Sequence, residues 1–224
     1  MTGDAVHPIE ALHPIEALHP IEALHPIEAE SYAIMSGLVD LSGWAEPERH
    51  VVARMVHATA DESFAATARI GEDAVAAAVE ALRRGAPVVC DARMVAAGLP
   101  RVAATSSVVC FLDRVPEAPP GRSTRSEAAV EAAAVEHPDG AVWVVGNAPT
   151  ALARLIDLHA GGRLRPACVI AVPVGYVGAA EVKAKLWGSR LRGRCVTNEG
   201  RRGGSPVAAA AVNALHRLAY PPPR

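Results

Sequence analysis

Pro87-Val88-Val89-Cys90-Asp91-Ala92-Arg93-Met94 is a short apolar run that ends abruptly in a carboxylate and a guanidinium. The run does not alternate apolar with polar residues. A strand of that kind is buried on both faces, so the charged residues behind it mark where the chain leaves the sheet. The same design recurs at residues 108–112, 141–145, 168–172 and 194–197. Helical spacing of apolar residues fills 124–136, 149–159, 179–187 and 205–218, and precedes the first run at 46–59 and 72–84. Gly85 closes the 72–84 segment as a helix-ending residue does. Strand and helix in alternation predict five parallel strands with right-handed crossovers, in a three-layer α/β/α domain.

A chain of 224 residues suits one such domain with a full core. Half of it is hydrophobic but only 4% is aromatic, so the core is expected to consist of closely packed Ala, Val, Leu and Ile. A formal net charge of −2 gives no global case for nucleic acid as a partner. Cys90, Cys110, Cys168 and Cys195 lie far apart, and the first three fall inside strand runs. They read as small buried thiols in a reducing compartment rather than disulfides or metal ligands. No apolar stretch approaches the ~20 residues that cross a bilayer. The N-terminus lacks the charged-then-apolar pattern of a secretory signal. The expectation is a cytoplasmic protein without a membrane partner.

The N-terminal segment has its own logic. HPIEAL begins at His7, His13 and His19, and a last copy, HPIEAE, begins at His25. A period of six matches neither a heptad nor a straight helix, and every proline interrupts a helix carrying the copies before it. Only the last copy runs on into a helix, at 26–40, with Pro26 in its first turn. Residues 1–24 are therefore expected to be a poorly ordered extension, and 25–224 a single domain. Histidines and glutamates repeated in a flexible segment fix no coordination geometry, so no metal is assigned to them.

Ligands of open α/β sheets bind beyond the carboxyl ends of the strands, and the unusual residues of this sequence gather there. The exits read Asp91-Ala92-Arg93-Met94, then a Pro/Gly-rich loop closing on Ser123-Thr124-Arg125-Ser126, then Gly146-Asn147-Ala148-Pro149-Thr150. The last two are Pro173-Val174-Gly175-Tyr176-Val177-Gly178 and Gly200-Arg201-Arg202-Gly203-Gly204-Ser205. Singly, each has an ordinary reading as a tight turn, a close helix–sheet contact or solvated charge. Together, helix-start amides, hydroxyls and arginines favour a large anion. Neither the phosphate-loop pattern nor the dinucleotide glycine fingerprint is present, so a polycarboxylate fits better than a nucleotide. His57, in Met55-Val56-His57-Ala58-Thr59-Ala60-Asp61, ends an amphipathic helix. It is either an acid–base group or a terminal histidine favoured by the helix dipole.

These blocks, in this order, carry a resemblance over nearly the whole chain after the repeats. HPIEAES-Y, MVHATAD, GAPVVCDARMVAAG, TRS, GNAPTAL, PVGYVGAAE-K and GRRGGS-VAAAAVNAL resemble the precorrin-8X and cobalt-precorrin-8 methylmutases. The resemblance implies a flavodoxin-like, five-stranded parallel sheet and a homodimer with active sites near its interface. It implies an isomerase that moves a methyl group from C-11 to C-12 of precorrin-8X to give hydrogenobyrinate in cobalamin biosynthesis. No S-adenosylmethionine or other cofactor is implied, because the methyl group is already on the substrate. His57 then matches the proton donor/acceptor, and Ser31 a substrate contact. Thr124, Arg125, Ser126, Asn147, Thr150, Arg201 and Arg202 match the blocks that line the tetrapyrrole pocket. A cobalt-containing substrate is the alternative within the family. A non-catalytic corrinoid carrier, or an enzyme that passes its product to the next enzyme, is the alternative beyond it. Glu199 beside the Gly-Arg-Arg block is unfavourable near a polyanion unless it points away or pairs with Arg201 or Arg202.

Overall fold

The strand runs assemble into one mixed sheet of β1 (Ala68–Ile70), β2 (Val88–Cys90), β3 (Val108–Cys110), β4 (Val142–Val145), β5 (Cys168–Ala171) and β6 (Cys195–Asn198). Their order is β1-β6-β5-β4-β2-β3. The computed structural model describes residues 25–117 and 124–221. The repeat extension, Ser123 and most of the loop before it lie outside the described residues. Strands β2 to β6 pair parallel, whereas β1 runs antiparallel along β6, with Arg69 opposite Thr197. The expected sheet of five parallel strands is thereby corrected to a mixed sheet of six. Ala68-Arg69-Ile70 is too short and too polar to show as an apolar run, and edge pairing with β6 makes it a strand.

Nine helices are described: α1 (Pro26–Leu38), α2 (Glu48–Thr59), α3 (Ser63–Thr67), α4 (Ala74–Arg83), α5 (Arg93–Ala97), α6 (Arg125–Glu136), α7 (Pro149–Ala160), α8 (Ala179–Trp187) and α9 (Ser205–Ala219). Proline in the first turn starts α1, α7 and α9, where its missing N–H costs nothing. Gly85 follows α4 at φ +69°, a backbone conformation that an L side chain resists. The short helices α3 and α5 fall in segments with no helical run of their own, and α5 occupies what the sequence suggested was a strand-exit loop.

The strands alternate their side chains between two cores, as a period of two requires. Val88, Cys90, Val142, Val144, Cys168, Ile170 and Val196 pack with α1, α2, α4, α5 and α9. Val89, Trp143, Val145, Val169, Ala171 and Cys195 pack with α6, α7 and α8. Helices thus cover both faces, as the unbroken apolar runs implied. All four cysteines are free, and burial pushes the Cys195 thiol up to about 12 and those of Cys90 and Cys168 higher still. Among the described residues no helix is long and apolar enough to cross a membrane.

Candidate functional site

His57 lies in the last turn of α2, half-buried, with its ring stacked on Tyr32 of α1 at 4.4 Å between centroids and 9° between planes. Arg54, one helical turn earlier, donates to the Tyr32 hydroxyl at 2.7 Å and to Glu28 Oε1 at 2.8 Å. The spacing is what makes this possible: Glu28 and Tyr32 are four apart on α1, and Arg54 and His57 three apart on α2. Burial, and then the Arg54 charge, hold the His57 pKa below the ordinary histidine value against the opposing pull of Glu28. A histidine tuned mainly by the negative end of its helix would move the other way. A depressed pKa favours the uncharged ring, which can accept a proton. Ser31, also half-buried, adjoins Tyr32 in sequence.

The end of α2 is tied to the exit of β6. Ala60 adopts a left-handed conformation (φ 49°) and turns the chain to Asp61, which forms an ion pair with Arg202. Arg202 also donates to Ser63 Oγ at 3.2 Å. Its neighbour Arg201 lies 5.2 Å from the centre of the Tyr176 ring. Beneath this loop Lys183 is buried, donating from Nζ to Asn198 Oδ1 at 3.0 Å and to the Arg202 carbonyl at 2.6 Å; burial lowers its pKa to about 8. Gly203 (φ +157°) passes so near β5 that a Cβ would stand 2.1 Å from the Val172 carbonyl oxygen. Glu199 pairs with Arg69 of β1 at 2.7 Å, and not with Arg201 or Arg202. The extra edge strand therefore neutralises the carboxylate that seemed out of place.

A third group surrounds the starts of α6 and α7. Thr124 caps α6 by accepting from the Glu127 amide at 3.1 Å, and its hydroxyl lies 2.7 Å from that of Thr150. Arg125 approaches Asp113 at 4.0 Å, while Asp113 also pairs with Arg93. Among the described residues the buried Arg125 Nε–H has no acceptor. Ser126 is half-buried in the same first turn. Thr150 lines a recess of about 350 Å³ with Pro149, Val177 and Lys185. The Gly146-Asn147-Ala148 turn needs correction as an anion site. Asp91 accepts from the amides of Gly146 (2.9 Å), Asn147 (2.9 Å) and Ala148 (2.7 Å). The anion held there is the protein's own carboxylate, so only outward side chains such as the exposed Asn147 remain for a ligand.

Arg202 is tied through Asp61 to the end of the helix that carries His57, Arg201 adjoins it in the chain, Ser31 sits beside Tyr32 on α1, and Thr124, Arg125, Ser126 and Thr150 form a separate group. Among the described residues no hydrogen bond or ion pair links that group directly to His57. Met94, Val174, Tyr176 and Val177 stand exposed at the exits of β2 and β5, Tyr176 and Val177 by 86% and 87%. Apolar surface interleaved with guanidinium suits a broad ring whose faces are apolar and whose rim is acidic. Sequence reasoning missed Glu28, Tyr32 and Arg54, although their helical spacing from one another and from His57 was visible. Ser205, quoted with the exit of β6 but given no role there, has a buried Oγ with no hydrogen-bond partner among the described residues.

Residues 26–218 match the family model described as precorrin-8X methylmutase. A precorrin-8X methylmutase of Sinorhizobium is 39% identical over 193 residues, covering 84% of this chain and 91% of its own. A cobalt-precorrin-8 methylmutase of Synechocystis is 36% identical over 208 residues, covering 85% and 94%. The solved precorrin-8X methylmutase of Thermus thermophilus superposes with a TM-score of 0.76 at 41% identity, covering 87% of this chain and 98% of that one. A match that spans both helical layers and every strand exit described above shows that the chain belongs to the precorrin-8X methylmutase family.

Proposed function

We propose that His57 is the proton-transfer group of this methylmutase and that the strand exits grip its tetrapyrrole substrate. The chain is an isomerase of its family, and the reaction is the migration of a methyl group from C-11 to C-12 of precorrin-8X, giving hydrogenobyrinate. The observation that carries the assignment is the His57 ring held flat against Tyr32, at the end of the helix that Asp61 ties to Arg202 after β6. A proton delivered to the conjugated ring redistributes its electrons and lowers the barrier to a [1,5] shift. The proton is returned afterwards, so the reaction balances with no oxidant or reductant. Burial and Arg54 disfavour the charged ring, so the acidic substrate helps to stabilise that proton. Carboxylates arriving beside His57 raise its pKa by the same electrostatics through which Arg54 lowers it. Only a difference in binding between the rearranging ring and the starting one speeds the step. Arg125, Arg201, Arg202 and the hydroxyls of Ser31, Thr124, Ser126 and Thr150 orient the rim without joining the chemistry.

Two finer features belong to the same reading. The five parallel strands, without β1, follow the order of a flavodoxin-like sheet. The working form is a homodimer; Ile27, Ile34 and Leu38 of α1 are exposed by 70%, 59% and 64%, at spacings that place them on one side of the helix. Relatives named for the metal-free and for the cobalt-containing substrate have similar identity to this chain, which keeps cobalt-precorrin-8 as the second reading. The test is an absorption time course of the protein mixed with metal-free or cobalt-containing substrate. Catalytic conversion of the chromophore at low protein concentration is expected. A spectral change that stops at one equivalent per protein identifies a carrier instead.

A further inference from the structure

A cavity of about 610 Å³ opens between α1, α2, α9 and the turn after α5, with Arg54 in its lining. Its wall carries Arg54, Arg101 and Arg217, with His25 and His216, against a single carboxylate, Glu28. Glu28 is already engaged by Arg54 at 2.8 Å. Three guanidiniums facing one acid leave an excess of two positive charges with no protein counter-ion on the wall among the described residues. Burial first, then the Arg54 and Arg101 charges against the pull of Glu28, hold the Arg217 pKa below the usual arginine value. Burial and Arg101 lower that of His216 as well. Such a cluster is unfavourable when empty and favours an anion that brings two or more acidic oxygens.

We propose that this cavity is a subsite for an acidic side arm of the macrocycle, with Arg101 and Arg217 as its specificity-determining residues. The proposal rests on the methylmutase reading. Its geometric warrant is Arg54, which lines the cavity and also holds the Tyr32 hydroxyl against which His57 stacks. A carboxylate entering here draws on Arg101 and Arg217 and meets Arg54, whose Nη1 already bonds Glu28 and Tyr32. The arm then fixes how the ring lies over His57 at a place remote from the migrating methyl group. The apolar faces of the ring have their own surface at the exits of β2 and β5, so a polar, cationic cavity is left for the rim.

The experiment uses the full chain. Arg101→Gln and Arg217→Gln are made singly and together; Arg101 is exposed, so its replacement leaves the core untouched. Turnover of precorrin-8X and the affinity for hydrogenobyrinate and for its fully methyl-esterified form are measured for each. The expected result is a KM raised at least about 10-fold in the double variant with kcat little changed, the signature of lost uniform binding. Affinity for the ester should be nearly the same in variant and wild type. Unchanged KM and product affinity in the double variant, beside a normally active wild type, overturn the subsite and leave the methylmutase reading standing. A wild type that never turns over substrate removes the reading on which the subsite rests. Inorganic phosphate that binds wild type but not the double variant, without competing with hydrogenobyrinate, overturns the subsite by assigning the cavity to a free anion.

Discussion

The end of α2 and the loop after β6 meet at the Asp61–Arg202 ion pair, yet they are built on opposite principles. His57 is half-buried, stacked, and surrounded by residues that determine its protonation state: Tyr32, Arg54 and Glu28. Arg201 and Arg202 are exposed, and what is fixed about them is their backbone, through Lys183 and the close approach of Gly203 to β5. One region controls a proton; the other presents exposed charge on a rigid base, with Arg202 paired to Asp61 and Arg201 set against Tyr176. Replacements should therefore act differently in the two regions. Changes at α2 should act on rate, and changes at the loop on binding.

The largest effect belongs to His57→Ala. Turnover should fall on the order of 10²-fold or more, the usual share of a positioned acid–base group, while hydrogenobyrinate still binds. Near-normal kcat at saturating substrate removes His57 from the mechanism. The same residue gives the pH test. Its pKa in the free protein, followed by NMR, should lie below the unfolded value of about 6.5. It should rise in Arg54→Gln, which removes a neighbouring positive charge, and rise on adding hydrogenobyrinate, which brings negative ones. The linkage sign follows. A histidine whose folded pKa is depressed takes up more protons unfolded, so its contribution to stability is full above about 6.5 and is lost as pH falls through that window.

Next in size is Gly203→Ala, which sharpens the rigid half of the comparison. A Cβ at 2.1 Å from the Val172 carbonyl oxygen cannot be relieved by a side-chain rotation, and φ +157° adds strain. A loss of about 2–3 kcal/mol in urea unfolding is expected. Unaltered stability would mean that the loop is not pinned to β5. Arg201→Ala should be milder: KM and the hydrogenobyrinate Kd rise about 10-fold and kcat stays close to wild type, because a rim carboxylate does not change during the methyl shift. A fall in kcat with unchanged Kd would place Arg201 with His57 rather than with the grip.

How much of this was legible in the sequence follows the same division. The parallel strands and both helical layers were legible because β2 to β5 are unbroken apolar runs, β6 opens on one, and each long helix carries its spacing. His57 was legible as a residue, but its two readings were separated only by Arg54, Tyr32 and the burial that α1 imposes. The strand β1 was not legible, since Ala68-Arg69-Ile70 has no strand pattern until β6 lies beside it. Nor was the fate of Glu199, whose partner Arg69 sits on that strand. The Gly146-Asn147-Ala148 turn misled for a related reason: its amides look free in sequence, and their acceptor, Asp91, lies 55 residues away. Long-range polar pairing is what a local pattern does not contain.

The smallest expected effect tests whether anything before the last HPIE copy contributes to either region. In α1, His25 Nδ1 accepts from the Ile27 amide, Pro26 fills the first turn, and Glu28 holds Arg54. Each of those roles belongs to the copy at 25–30, and the three earlier copies repeat the same residues without following on into Tyr32 and Met35. Removing residues 2–24 leaves one complete copy and every partner named above. The truncated chain should match the full one within about 0.5 kcal/mol in unfolding free energy, the ordinary range for changes away from packed or paired groups. It should also keep its kcat, its KM and, by light scattering, the same oligomeric state as the full chain. A change of oligomeric state alone would assign the repeats to the exposed apolar side of α1. A raised KM alone would connect them with the cavity on whose rim His25 stands.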